Sequence, residues 1–253
     1  MKTLFLILIF SLCSIIGLNA QEPFYIAIVI DDFGNAYKDV EEMINVGIPI
    51  TGAIIPDGPE AVQQMHALTA KGHSVMIHMP MESKGSPRAW NTSLAFKTHH
   101  SKEEIVQKLE TAMEILPLAK SINNHMGSIG TADRNLMEIY ISKASMEGLL
   151  VLDSLTTSKS LVKEVAQEQN ASFLERDVFL DDKEGIGHVQ KSLLEALEIA
   201  KKEGYAIAIG HVGPAGRNGT TVKGIRNMIE HLKNEGAVFV TIDELYEIIG
   251  DRE

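Results

Sequence analysis

An α/β fold built on a parallel sheet is predicted by three features of the sequence. From Tyr25 onward short apolar runs alternate with longer amphipathic stretches, the amphipathic stretches return apolar residues every three or four positions, and several of them stop at glycine. Strand, helix, strand repeated about seven times leaves two architectures open, a barrel or an open doubly wound sheet with helices outside.

The first strand candidate is "YIAIVI" (25–30), six residues suited to burial in a sheet, which runs directly into Asp31 and Asp32. "ITGAII" (50–55), "SVMIHM" (74–79), "SINNHM" (121–126), "LLVLD" (149–153), "SFLERDVF" (172–179), "YAIAIG" (205–210) and "AVFVTI" (237–242) follow at intervals that leave room for a helix. Helical periodicity is read in "AYKDVEEMINVG" (36–47), "SKEEIVQKLETAMEIL" (101–116), "DRNLMEIYISKASMEG" (133–148), "VQKSLLEALEIAKKEG" (189–204) and "VKGIRNMIEHLKNEG" (222–236). Gly47, Gly148, Gly204 and Gly236 end four of these, as expected where the chain leaves a helix through a left-handed conformation. The longest irregular piece, 81–100, carries the single Trp90 and is expected to lie beside the third strand. There is no repeat at a fixed period and no low-complexity segment.

Residues 1–20, "MKTLFLILIFSLCSIIGLNA", have one Lys, a long apolar middle and the small residue Ala20, the pattern of a secretory signal peptide cleaved after Ala20. Their apolar run, Leu4 to Leu18, is shorter than the ~20 residues of a bilayer span. Cys13 follows Leu12, where a lipidation signal wants a small residue, so no lipid anchor is read. The mature chain, residues 21–253, then holds no cysteine and is expected to be a single exported domain, periplasmic or extracellular, that relies on its apolar core. Its net charge, −11 for the whole chain and one lower without Lys2, comes with no basic stripe, which disfavours nucleic acid as a partner. No stable membrane span is expected once the leader is removed.

In parallel α/β folds the working residues gather at the carboxyl ends of the strands. The strand candidates here end on Asp31 and Asp32, His78, His125, Asp153 and His211, and the sixth carries Arg176 and Asp177. So many polar groups on one face would be poorly compensated unless they bind something. Two histidines and a carboxylate drawn from three strands are a common ligand set for a divalent metal with a position left open for water. A cation would also remove the repulsion between Asp31 and Asp32, one acid ligating while its neighbour serves as a base or holds water.

Taken in this order, "IDDFG", "GHSVMIHMPME", "NNHMGS", "LDS", "RDVFLDD" and "IAIGH" resemble the divergent polysaccharide deacetylase family, the YibQ-like branch of the polysaccharide deacetylases, from about Tyr25 to Ile249. The resemblance implies a single-domain deformed (β/α) barrel of about seven parallel strands and metal-dependent amidase chemistry on N-acetylated sugars, with zinc the expected metal and a polysaccharide or oligosaccharide the substrate. It makes Asp31 the general base, Asp32 a ligand, His211 the group that protonates the leaving amine, and Asp153 with Arg176 orienting residues. The family's next motif has two histidines four residues apart, whereas here His78 is followed by Glu82. That departure makes His125 the best replacement ligand beside His78, with Glu82 a weaker candidate. Hydrolysis of a phosphate or another ester at the same metal is the less favoured chemistry, because no glycine-rich phosphate loop or convergent Lys/Arg set accompanies these residues. The alternative from another class is a non-catalytic envelope protein that uses the same barrel to bind glycan or a protein partner.

Overall fold

The computed structural model describes residues 23–85 and 91–250. The leader read over residues 1–20 and Trp90 lie outside these. The strands are β1 (Phe24–Phe33), β2 (Thr51–Ile54), β3 (Ser74–Met81), β4 (Ser121–Met126), β5 (Leu150–Asp153), β6 (Phe173–Glu175), β7 (Val178–Phe179), β8 (Tyr205–His211) and β9 (Ala237–Val240). The helices between them are α1 (Val40–Ile44), α2 (Ala61–Ala70), α3 (Lys102–Ile115), α4 (Arg134–Met146), α5 (Val162–Glu168), α6 (Ile186–Glu203), α7 (Thr220–Asn234) and α8 (Ile242–Gly250).

The strands join in the order β6-β5-β4-β3-β2-β1-β8-β7, every pair parallel, and β9 pairs with the start of β1. The described sheet therefore has nine strands rather than about seven. Part of the difference lies in "SFLERDVF", expected as one strand. Its first half pairs with β5 and its second with β8. Between them the Arg176 N–H donates to Asp153 O (3.1 Å) and the Asp177 N–H to Ile207 O (2.9 Å), so one short passage of chain spans the two ends of a half-barrel.

Alternation along the strands divides the core in two. Ile26, Ile28 and Ile30 of β1 face outward, into one cluster with Met43, Leu68 and Leu193 from the helices. Ala27 and Val29 face inward with Met76, Leu152, Ile207 and Ile209. Ile242 and Leu245 of α8 join that inner cluster, while the Ile242 N–H donates to Thr51 Oγ1 (2.9 Å) at the start of β2, so the C-terminal helix sits at the strand starts. The expected eighth strand is accordingly shorter. It stops at Val240, where Thr241 and Glu244 exchange bonds that begin α8. Gly47, Gly148, Gly204 and Gly236 all have positive φ, as helix-ending glycines should. Helices α2, α5 and α8 add to those read from periodicity. Among the described residues no helix is long and apolar enough to cross a membrane.

Two loops meet closely where β1 and β2 end. A Cβ on Gly58 would lie 2.3 Å from Gly34 O and 2.6 Å from Gly34 C, backbone atoms that have little room to give. Gly58→Ala should cost about 1–3 kcal/mol of stability through overpacking, measured by denaturant unfolding. Gly187→Ala is the control. It lies in α6 with nothing within 4 Å of an added Cβ, and should be neutral or stabilising by up to about 1 kcal/mol.

Candidate metal centre and active site

Parity along the strands determines which side chains reach the barrel mouth. Asp31 continues the inward series of Ala27 and Val29, His78 that of Met76, and His211 that of Ile207 and Ile209. Regular pleating would send Asp32 outward with Ile30. Instead the register slips between Ile30 and Phe33: Ile30 faces Gly52 and Phe33 faces Ile54, so β1 spends one residue more than β2. This is a β-bulge, and Asp32 takes φ +70° within it. Aspartate tolerates the left-handed region better than most residues, which suits it to this place. Phe33 is returned to the outer cluster, and the two adjacent carboxylates can both serve the mouth.

The resulting cluster is tight. His78 Nε2 lies 2.9 Å from His125 Nδ1 and 3.5 Å from Asp32 Oδ1, and His125 Nδ1 lies 3.1 Å from the same oxygen. Asp32 Oδ1 is buried with no hydrogen-bond partner. Ligand atoms around a tetrahedral cation with bonds of ~2.0–2.1 Å stand about 3.3–3.4 Å apart. Three lone-pair atoms at nearly that spacing, one of them an orphaned buried oxygen, fit a divalent cation. Among the described residues this is the one group of three or more His, Cys, Asp or Glu side chains placed to hold an ion. Burial alone would raise the Asp32 pKa, but His125 and His78 outweigh it and hold the carboxyl well below the usual carboxylate range.

His78 and Asp31 are joined beneath the cluster by Asn123, the register partner of His78 on β4. Asn123 Oδ1 is 2.7 Å from His78 Nδ1, and its Nδ2 donates to Asp31 Oδ1 (2.9 Å) and Ser154 Oγ (3.2 Å). Asp31 in turn pairs in register with His211 on β8. The His211 ring bonds through Nδ1 to Asp181 Oδ1 (2.8 Å), while Asp181 Oδ2 accepts from the His211 N–H (2.8 Å) and Thr221 Oγ1 (2.6 Å). Burial works against a charged His211, yet the Asp181 carboxylate prevails and its pKa is pushed up to about 9. Asp181 was assigned no role from the sequence. The signal was present in "VFLDD", because Val178 and Phe179 pair with Ala208 and Ile209, a register that carries Asp181 to the level of His211.

Three other candidates sit differently. Asp153 has the parity of Val151, which faces the helices. Its carboxylate accepts from the Leu155 N–H (2.8 Å) and Ser160 Oγ (2.6 Å), and burial raises its pKa. Arg176 donates to the carbonyls of Ser154 (2.9 Å) and Leu155 (3.4 Å) and lies 3.7 Å above the Phe179 ring, which stacks against His211. These two residues thus organise the 154–160 loop and the side of His211, and neither belongs to the ligand cluster. Glu82 Oε2 accepts from the backbone and hydroxyl of Thr98, both at 2.8 Å, and Glu82 is also outside the cluster.

Loop backbone fixes the rim. Gln64 of α2 accepts from the Gly34 N–H (2.7 Å) and donates to Asn35 O (2.8 Å), pinning the turn that follows the two acids. Met126, after His125, has φ +60°, and its carbonyl accepts from Asn124 Nδ2 (2.8 Å) and Thr156 Oγ1 (2.7 Å). Asp32 and His125 open onto a cleft of about 590 Å³, with Tyr37, Asp57 and Pro214 on its walls.

The fold is that of the deacetylase-like half-barrels. The chain belongs to the divergent polysaccharide deacetylase family, whose model matches residues 28–246. It is 35% identical over 213 residues to an uncharacterized protein of Haemophilus influenzae, covering 83% of this chain and 74% of that protein. To the uncharacterized protein YibQ of Escherichia coli it is 32% identical over 208 residues, 82% of this chain and 63% of the relative. Among solved structures, the uncharacterized protein ATU2773 of Agrobacterium tumefaciens superposes with a TM-score of 0.82 at 19% identity, over 89% of this chain and 90% of that one. The catalytic domain of a peptidoglycan N-acetylglucosamine deacetylase from Eubacterium rectale gives 0.56 at 14% identity, over 87% and 89%.

Proposed function

We propose that this protein is an exported, zinc-dependent hydrolase that removes acetyl groups from N-acetylated sugars of an envelope or extracellular polysaccharide. The observation that carries the reading is the convergence of Asp32, His78 and His125 at the cleft, beside Asp31 and the Asp181-held His211. Family membership supports a polysaccharide as substrate, and the half-barrel shared with a peptidoglycan N-acetylglucosamine deacetylase supports the amide bond as the one cleaved.

In this reading Asp32, His78 and His125 hold the cation. When bound, it supplies Lewis acidity toward the acetamide carbonyl and acidifies water. Asp31, buried and oriented by Asn123, takes a proton from the water that attacks the carbonyl carbon. His211, whose Nδ1 is engaged by Asp181, delivers a proton from Nε2 to the sugar nitrogen as the C–N bond breaks, leaving acetate and a free amine. The test is metal analysis of the purified mature protein, followed by acetate release from N-acetylated glycans with and without chelator. Release of acetate that stops with chelator and returns with Zn²⁺ supports the reading; no acetate from any N-acetylated glycan by the metal-loaded protein refutes it.

Export is tested separately. Mass spectrometry of protein expressed from the full sequence should find the chain beginning at Gln21. An intact Met1 in a membrane fraction would make residues 1–20 an anchor instead.

A further inference from the structure

We infer that Asn123 is a positioning residue that couples the base to the metal site: it fixes the tautomer of His78 and the orientation of Asp31 through one side-chain amide. The inference rests on the metal reading above for its consequence, but its geometry stands by itself. Asn123, Asp31 and His78 are 0%, 2% and 1% exposed, so water has no access to substitute for a missing partner.

The orientation of the amide follows from its neighbours. A carboxylate accepts and does not donate, so the group facing Asp31 Oδ1 at 2.9 Å must be the Asn123 NH₂, which also reaches Ser154 Oγ at 3.2 Å. Reversed, the amide would set oxygen against oxygen. The carbonyl Oδ1 is thereby committed to His78 Nδ1 at 2.7 Å, and a carbonyl there requires Nδ1 to carry a proton. In the neutral ring the lone pair then belongs to Nε2, the atom that stands 3.5 Å from Asp32 Oδ1 and 2.9 Å from His125 Nδ1. Asn suits this position because its one planar amide offers a donor to the base and an acceptor to the ligand. Aspartate would keep the acceptor but set a second carboxylate against Asp31; alanine would lose both groups.

The test uses ¹⁵N-labelled mature protein without metal, with the His78 ring nitrogens followed over pH until the ring is neutral, and a chelator-competition measurement of Zn²⁺ affinity. In the unaltered protein neutral His78 should carry its proton on Nδ1. Asn123→Ala should lose that preference and weaken Zn²⁺ binding about 10–100-fold, the usual cost of removing a group that orients a ligand. Asn123→Asp sets a second carboxylate against buried Asp31, so one of the pair must hold a proton, and turnover should fall because Asp31 is no longer a free, amide-oriented base. A neutral His78 protonated on Nε2 in the unaltered protein overturns the inference, as does an Asn123→Ala protein with unchanged tautomer and unchanged Zn²⁺ affinity. If the unaltered protein takes up no Zn²⁺ the metal reading fails, and the tautomer in the metal-free protein still decides the role of Asn123.

Discussion

On the proposed metal reading, Asp32→Asn and His125→Ala proteins should purify with far less divalent metal than the unaltered chain, and their Zn²⁺ affinity should fall by more than about 100-fold, exceeding the 10–100-fold typical of changes to groups that orient a ligand. Asparagine is the cleaner replacement at residue 32 because the bulge holds that position at φ +70°, which asparagine tolerates and alanine does not. It keeps the volume and removes the charge. His125 offers Nδ1 to the cluster, 3.1 Å from Asp32 Oδ1, and alanine leaves nothing in its place. Each variant should remain folded by circular dichroism, since neither side chain belongs to the apolar clusters. Full metal occupancy in both would remove the ligand assignment. Glu82→Gln serves as the contrast: Glu82 is engaged by Thr98, and its replacement should leave metal content near that of the unaltered protein.

Much of this arrangement was legible in the sequence because parallel strands buried on both faces read as short apolar runs, and because the polar residues that end them are few. The same property hid the rest. In "LLVLDS" both faces of the strand are apolar, so nothing tells which way Asp153 points; only the grouping of Val151 with the helices and of Leu152 with the barrel interior reveals it. The bulge at Asp32 is equally silent, since one inserted residue leaves no compositional trace and appears only as a slip against β2. Asp181 and Asn123 escaped for a third reason. Their roles arise from cross-strand register, Asp181 with His211 and Asn123 with His78, and register is a property of two segments together. "SFLERDVF" has the composition of one strand, but the two edges it joins are far apart in sequence.

Asp31→Asn and His211→Ala should each lower turnover roughly 10²–10⁴-fold while leaving most of the metal in place, because a general base or acid acts on the proton and does not hold the cation. The pH dependence separates the two. His211 has its pKa pushed up to about 9 by Asp181, with smaller help from Asp32 and Asp31, so its acid form prevails at neutral pH. A bound cation offsets the help from Asp32 and Asp31, which sets the alkaline limb of kcat/KM at or below about pH 9. Asp181→Asn removes the main raising influence and should move that limb downward, with activity persisting on the acid side. His211→Ala should abolish the limb along with most of the rate. The same group contributes to stability in the metal-free protein. Its folded pKa exceeds the unfolded value of about 6.5, so the contribution is complete below that pH and is lost as pH rises through about 9. Unfolding free energies measured between pH 6 and 10 should therefore fall more steeply for the unaltered chain than for His211→Ala. Unchanged turnover in Asp31→Asn and His211→Ala alike would remove both assigned roles, and an alkaline limb that ignores Asp181→Asn would assign it to a group other than His211.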